Sequence, residues 1–303
     1  SVHGAVRRAV VEFLKLCKEA GAIEEKTYRR LAAKFERGVP EWGEVRFSVW
    51  LEKNGAVVVK YQPSGPESFI KTVNLLRELG MRDTCDVEWC IVHFTAREPE
   101  GGRQGFVRIT VDGLRYIGWL ALNGDQRLKE MLLKEAERKG EEVRRRLEQY
   151  FREGERWGTV KPPIEKEVEV EGRRKKVRVE EVEAWREKSE RKEHLVVKVR
   201  ARVAEDGREV AVEKEARFFK IGGNEIQGYV VIHASAEGGR EADYARTAAV
   251  LKALGVDKWS RKERQIQLTG GGLDPLMRLE PVCRALGICQ KTLKGGCLVG
   301  CAG

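Results

Sequence analysis

The chain has 303 residues, enough for two domains, and its hydrophobic fraction of 41% can supply packed cores, which excludes an intrinsically disordered protein. Charged residues make up 35% of the chain and leave a net charge of +10, which favours a polyanionic partner such as nucleic acid. No apolar run approaches the roughly 18 residues of a membrane-spanning helix, and charges interrupt the start SVHGAVRRAVVEFLKLCKEAG, so we expect a cytoplasmic protein without a membrane partner.

Hydrophobic periodicity and turn residues divide the chain into five predicted segments. They are an N-terminal helical segment 1–40, a first α+β unit 41–124, a charged connecting helix 125–160, a second α+β unit 161–288 and a Cys/Gly-rich tail 289–303. The connecting helix alternates in charge sign along its length, a pattern that is typical of solvent-exposed helices. It is interrupted at most near Gly140.

In the first unit, the strands EVRFSVWL and AVVVKY are joined at Asn54-Gly55, a strong hairpin signal. A helix follows Pro66 and ends at Gly80. Two further strands, VEWCIVHFTA and FVRITV, precede a helix that begins at Asp112-Gly113.

In the second unit, KEVEVEGRRKKVRV predicts a hairpin that places glutamates 167, 169 and 171 across from basic residues 174, 176 and 178. A short helix around Ala184-Trp185 comes next, followed by the long strands HLVVKVRARV and REVAVEKEARFF. The remaining predicted elements are the strand GYVVIHASA, the helix EADYARTAAVLKALGV, the strand RQIQLTG and the helix DPLMRLEPVCRALG.

Two stretches of the chain form an internal repeat. GAVVVKYQPSGPESFIKTVNLLRELGMRD, from Gly55, matches GYVVIHASAEGGREADYARTAAVLKALGVDK, from Gly228. In this alignment VEWCIVHFTA corresponds to RQIQLTG, and FVRITV is an insertion in the first copy. The repeat predicts an α+β fold of two related β-α-β-α units, each an antiparallel sheet under a helical layer. Two such sheets side by side would form a pseudo-twofold saddle that fits a duplex.

From about Gly105 onward, over about two thirds of its length, the chain resembles the PaRep-type paralogous protein family of Pyrobaculum-like hyperthermophilic archaea. The resemblance is carried by VRITVDGLRYIGWLALNGDQRLKEML, EVEVEGRRKKVRV and above all EGGREADYARTAAVLKALG (237–255). This family resemblance implies an archaeal source and does not identify a biochemical activity. The interleaving of Lys and Arg with Glu agrees with a hyperthermophile, because the cost of desolvating charge falls with temperature.

The order of elements in each repeat also resembles that of LAGLIDADG homing endonucleases, whose paired sheets grip DNA in the major groove. Those enzymes carry a metal-binding acid at the foot of each of two central helices. No such motif occurs in this chain: LTGGGLDP (268–275) shares letters with it but follows a strand and places its acid at a helix start. The resemblance therefore implies DNA binding more than DNA cleavage.

Two basic clusters are candidate nucleic-acid contacts. The strand HLVVKVRARV places Lys198, Arg200 and Arg202 on one face, either for phosphate contact or for cross-strand pairing with Glu209, Glu213 and Glu215. The predicted loop 257–265 surrounds an aromatic ring with cations, a combination that suits backbone and base-stacking contacts. Its candidate residues are Lys258, Trp259, Arg261, Lys262 and Arg264.

The remaining candidates favour structural roles. His93 and His233 lie in apolar strands without an acid or cysteine spaced for a shared site, and the glycine clusters fit neither the G-x-G-x-x-G nor the P-loop pattern. The spacing of Cys283, Cys289, Cys297 and Cys301 is not that of a zinc site, and we expect reduced thiols, with a disulfide or metal at Cys85 and Cys90 or in the tail as open alternatives. We therefore expect no catalytic residue, metal or cofactor.

The favoured hypothesis is a protein that binds nucleic acid, in particular double-stranded DNA, and that has no evident catalytic motif. One alternative is a divalent-metal nuclease derived from a homing endonuclease, which requires two converging acids. The other is an assembly module that uses the charged helix and the Cys-rich tail for protein contacts.

Overall fold

The computed structural model describes residues 2–36, 42, 45–85, 89–123, 125–190, 192–221 and 225–288. The predicted tail 289–303 lies outside the described residues. The helices are α1 (Val2–Glu19), α2 (Glu25–Glu36), α3 (Pro66–Glu78), α4 (Val111–Asn123), α5 (Arg127–Lys139), α6 (Glu141–Glu155), α7 (Gly239–Ala253), α8 (Leu273–Leu276) and α9 (Glu280–Ala285). The strands are β1 (Ser48–Leu51), β2 (Val57–Tyr61), β3 (Phe94–Arg97), β4 (Phe106–Ile109), β5 (Ile164–Val170), β6 (Arg173–Lys188), β7 (Glu193–Glu205), β8 (Arg208–Ile221), β9 (Glu225–Val231), β10 (Trp259–Arg261) and β11 (Gln265–Thr269).

The strands form two antiparallel sheets, and the α+β prediction is confirmed. The first sheet has the order β1-β2-β4-β3, and the second has the order β10-β11-β9-β8-β7-β6-β5. The helices α5 and α6 pack against β1, and α7 packs against β5 to β8. In the described ranges, no helix is long and apolar enough to cross a bilayer.

The two repeats match each other more completely in the structure than in the predicted alignment. The order β1-β2-β4-β3 recurs as β8-β9-β11-β10, with α3 and α7 each placed after the second strand of its unit. The counterpart of β11 is therefore β4, not the strand VEWCIVHFTA, and β4 is not an insertion. The prediction missed β10 because three residues flanked by charges give no periodic signal.

Several predicted boundaries change for identifiable reasons. Residues 90–93 are not a strand, and Ala184-Trp185 is not a helix but part of β6. There Trp185 pairs with Val196 of the apolar strand β7, and this pairing overrides local preference. The connecting helix is two helices, since Gly140 has φ 122°. The last predicted helix is divided into α8 and α9.

The elements up to α6 form the first half of the chain, and those from β5 onward form the second half. The two halves share one hydrophobic core. In the first half, α4 and α6 meet at glycines. A Cβ atom on Gly118 would lie 2.1 Å from the carbonyl oxygen of Phe151, and one on Gly154 would lie 1.6 Å from that of Arg115. The backbones of the two helices are therefore in direct contact, and only glycine permits so close an approach.

Candidate nucleic-acid interface

The first sheet buries one face, and most of the other face is partly or fully exposed, except at Val58, which is 2% exposed. Val49, Val59, Phe94 and Val107 are fully buried on the inner face. The alternate residues form the outer face, and its central row crosses all four strands as Ser48, Lys60, Arg108 and Thr95. Of the row's two charged residues, Arg108 has a carboxylate within reach, with its Nη2 3.7 Å from Glu52 Oε1.

Two cations contact one aromatic ring on this outer face. Lys60 Nζ is 5.3 Å from the centroid of the Phe106 ring, and the guanidinium carbon of Arg97 is 5.0 Å from it. Within the described part of the chain, neither Lys60 nor Arg97 forms an ion pair with a carboxylate. We name Lys60, Arg97, Phe106 and Arg108 the basic face; it combines unneutralised charge with an aromatic surface, the two requirements of nucleic-acid contact.

The sequence contained a signal for the basic face that the sequence interpretation missed. The strands FVRI, FTAR and VVVKY each place a cation among apolar residues, and period-two alternation assigns it to the side opposite the core. Charge density along the chain pointed elsewhere, because these cations come together only through strand pairing.

The predicted basic strand is neutralised by cross-strand ion pairs. Lys198 Nζ lies 2.8 Å from Glu213 Oε1, Arg200 Nε lies 2.9 Å from Glu213 Oε2, and Arg202 Nε lies 2.8 Å from Glu180 Oε1. Hydrogen bonds from Lys198 and Arg200 lower the pKa of Glu213. Of the two interpretations left open by the sequence, this geometry favours cross-strand pairing.

The predicted loop 257–265 contains the strand β10, and two of its candidates face the helical side. Trp259 Nε1 lies 3.3 Å from the Tyr244 hydroxyl, and Arg261 stacks on the Tyr244 ring at 4.0 Å while it pairs with Glu241. Lys262 and Arg264 stand between β10 and β11, and the Arg264 side chain is 80% exposed.

The two predicted clusters do not come together. β8, β9 and β11 lie between β7 and β10 in the second sheet, so Lys198, Arg200 and Arg202 are separated from Lys258 and its neighbours.

An open pocket of about 390 Å³ lies where the two halves meet. Its charged lining includes Lys258 and Arg115; Arg115 Nε lies 2.8 Å from Glu153 Oε2, Nη1 3.0 Å from Asp112 Oδ1 and Nη2 3.2 Å from Asp274 Oδ2. Partial burial and the neighbouring carboxylates raise the pKa of Asp274 to about 6, although Arg115 acts in the opposite direction.

Asp112 and Asp274 each follow the last strand of their unit, so acids from corresponding positions do converge. A guanidinium occupies the space between them, however. Across the residues that the structure describes, no group of three His, Cys, Asp or Glu side chains could hold a metal ion.

Neither histidine singled out by the sequence lies within a strand. His93 is 3% exposed, stacks on Tyr116 with ring centroids 4.4 Å apart, and accepts a hydrogen bond at Nδ1 from the backbone nitrogen of Arg82. Burial lowers the pKa of His93 to about 3. His233 is exposed and follows β9.

Cys85 and Cys90 form a disulfide, so the prediction of reduced thiols is wrong for this pair. The adjoining Trp89 binds the second half: its backbone nitrogen donates to Glu193 Oε2 at 3.0 Å and its Nε1 to Glu193 O at 2.8 Å. Lys220 Nζ donates to the carbonyl oxygen of Cys90 at 2.8 Å. Trp89 and Cys90, the latter bound to Cys85 by the disulfide, therefore both contact the second half.

Comparison with protein families matched the N-terminal part of the chain. Residues 3–104 match the family model described as PaRep2b protein. This match covers about a third of the chain and lies before Gly105, whereas the predicted resemblance rested on residues after it. It supports the PaRep resemblance and assigns no activity. No curated protein and no solved structure matched the chain.

Proposed function

We propose that the protein binds double-stranded DNA through the outer faces of its two sheets, with the basic face supplying the phosphate contacts. The basic face carries the proposal: Lys60 and Arg97 contact the Phe106 ring, and Arg108 lies beside Lys60 on the neighbouring strand. Three cations without strong acidic partners favour a polyanion. The repeated sheet order supports a two-sheet saddle like that of LAGLIDADG homing endonucleases. A hyperthermophilic archaeal source and a cytoplasmic location belong to the same proposal.

The predicted contacts of the second half enter this proposal unequally. Lys262 and Arg264, next to the β10–β11 turn, are included as phosphate contacts. Lys198, Arg200 and Arg202 are expected to contribute less, because a phosphate would first have to displace their glutamate partners. DNA cleavage is not proposed, since the converging acids at the pocket are bound by Arg115.

A salt titration of binding to labelled duplex DNA, single-stranded DNA and structured RNA tests the proposal. Each phosphate contact adds about 0.9 to the slope of log affinity against log salt. We expect Lys60→Ala/Arg97→Ala/Arg108→Ala to lower the affinity and to reduce the slope by about 2 to 3. The matched control, Arg138→Ala/Arg145→Ala/Arg146→Ala, removes the same charge from exposed helical positions already paired with glutamates.

Equal effects of the two triple variants would show that only net charge matters. Affinity that does not change with salt would contradict phosphate binding altogether. Tighter binding to single strands or to RNA would contradict the choice of duplex DNA, and concentration-dependent self-association without any nucleic-acid binding would favour the assembly alternative.

A further inference from the structure

The outer face of the second sheet differs chemically from the basic face. Its central row crosses β8, β9, β11 and β10 as Arg217, Tyr229, Gln267 and Ser260. The flanking rows place Gln265 beside Val231 and Gln227 beside Thr269. In β9 and β11, where the matching strands of the first sheet carry Lys60 and Arg108, the second sheet therefore presents amides and a phenol.

Three glutamines on this face have hydrogen-bonding capacity to spare. Gln227, Gln265 and Gln267 are partly exposed, while Val230, Ile266 and Leu268, which alternate with them, are buried on the inner face. Within the described residues, the amide groups of Gln227 and Gln265 make no hydrogen bond, and that of Gln267 makes one 3.5 Å contact with Ser260 Oγ. We name these three residues the amide face.

We propose that the amide face reads adenines of A·T base pairs in the major groove, while the basic face holds the phosphates. This inference rests on the proposed DNA binding and adds sequence specificity to it. A neutral amide gains nothing from counterion release, but it carries a donor and an acceptor that together match adenine N6 and N7.

The spacing of the strand fits the duplex. Residues two apart on a strand, such as Gln265 and Gln267, stand about 6.8 Å apart on one face. Successive bases along one DNA strand rise about 3.4 Å, so two base steps span the same distance. β9 and β11 lie between β8 and β10 in the second sheet, so the sheet would lie across the major groove and the glutamine side chains would enter it. We therefore expect the two glutamines to read positions two base pairs apart.

Selection of binding sites from a pool of randomised duplex DNA tests the inference. We expect the wild-type protein to enrich A·T pairs at two positions separated by two base steps. Gln265→Ala/Gln267→Ala should lose about tenfold in discrimination per contact, while its salt slope stays unchanged. The control Gln104→Ala removes an exposed glutamine outside both sheets and should leave the selected site unaltered.

A second measurement uses the wild-type protein and so does not depend on how a variant folds. Replacing adenine by 7-deaza-adenine at an enriched position removes the N7 acceptor, and we expect about a tenfold loss of affinity. The variant Gln265→Ala/Gln267→Ala should bind the duplex with 7-deaza-adenine no more weakly than it binds the duplex with adenine.

The possible failures are distinguishable. Salt-dependent binding without enrichment of A·T pairs, or the same enriched site from the double variant, overturns base reading and leaves DNA binding intact. Insensitivity of the wild-type protein to 7-deaza-adenine does the same. An absence of duplex binding at low salt overturns the proposed function and this inference together.

Discussion

Lys214 donates to Asp243 in the interior of the second half, with Nζ and Oδ2 2.5 Å apart. The two side chains are 8% and 7% exposed, and the same Oδ2 accepts a hydrogen bond from the backbone nitrogen of His233 at 2.7 Å. The pair thus fixes the turn from β9 into α7. Arg246, also buried, binds Glu205 and the carbonyl oxygen of Glu237. The stretch EGGREADYARTAAVLKALG, which carried the family resemblance most strongly, is therefore held in place by buried ion pairs.

Removing one member of the buried pair should be strongly destabilising. We expect Asp243→Ala to lower the free energy of unfolding by about 3 to 5 kcal/mol, because the Lys214 ammonium is left buried without a counter-charge. Lys214→Met/Asp243→Asn should recover part of that loss, since it removes both charges and keeps an acceptor for His233. Denaturant unfolding measures both. As a control, Arg202→Ala breaks an exposed pair and should cost less than about 1 kcal/mol.

The contact between α4 and α6 predicts a severe effect from one methyl group. Gly154→Ala should cost several kcal/mol, about 3 or more, because its Cβ meets the backbone of Arg115, which cannot move without displacing a whole helix. Gly65→Ala is the matched control, since nothing lies within 4 Å of the added atom and its backbone is extended. Thermal unfolding of both variants decides the point, and similar midpoints would contradict the close packing.

His93 predicts a pH dependence of stability with a defined sign. The unfolded chain takes up a proton at His93 below pH 6.5, whereas the folded protein does so only near its pKa of about 3. The free energy of unfolding should therefore fall by about 1.4 kcal/mol per pH unit as pH decreases below 6.5. His93→Gln, which keeps an acceptor for Arg82, should lack this slope when compared with the wild type by denaturant unfolding between pH 7 and 4.5. Parallel profiles would show that His93 does not resist protonation.

Trp89 predicts that the two halves unfold together. Trp89→Ala removes a side chain that is 1% exposed and an indole hydrogen bond to the second half, so we expect a loss of about 3 to 5 kcal/mol. Because Trp89 joins the halves through Glu193, the transition should also broaden or divide in two. Calorimetry provides the measurement, with Ile70→Ala, at a side chain that is 51% exposed, as the control. A sharp single transition at an unchanged temperature would argue against a bridging role.

Local signals predicted most of the secondary structure, and long-range pairing accounts for the differences. The Asn54-Gly55 turn and the Leu-rich face of α3 follow from nearby residues. The strand state of Trp185 depends on its partner Val196, and the strand β10 depends on pairing with β11, so neither could be found from a local window.

The candidate interface was harder to predict than the fold, because charge along a chain does not reveal which charges are neutralised. Lys198 and Arg200 stand out as basic residues in the sequence, yet each lies directly opposite a glutamate of the neighbouring strand β8. Lys60 and Arg108 are isolated in sequence and become neighbours only when β2 pairs with β4. Strand register, which sequence patterns alone did not determine here, decides both outcomes.

The partners of Arg115 also bear on the order of events during synthesis. Asp112 and Glu153 are near Arg115 in the sequence and are synthesised soon before or after it. About half the length of the chain separates Arg115 from Asp274, which is synthesised much later. Since chains fold from the N-terminus as they are made, the contact of α4 with α6 can form early and hold the guanidinium between its first two carboxylates. The second half then docks on a surface that is already assembled, and Asp274 completes the junction last.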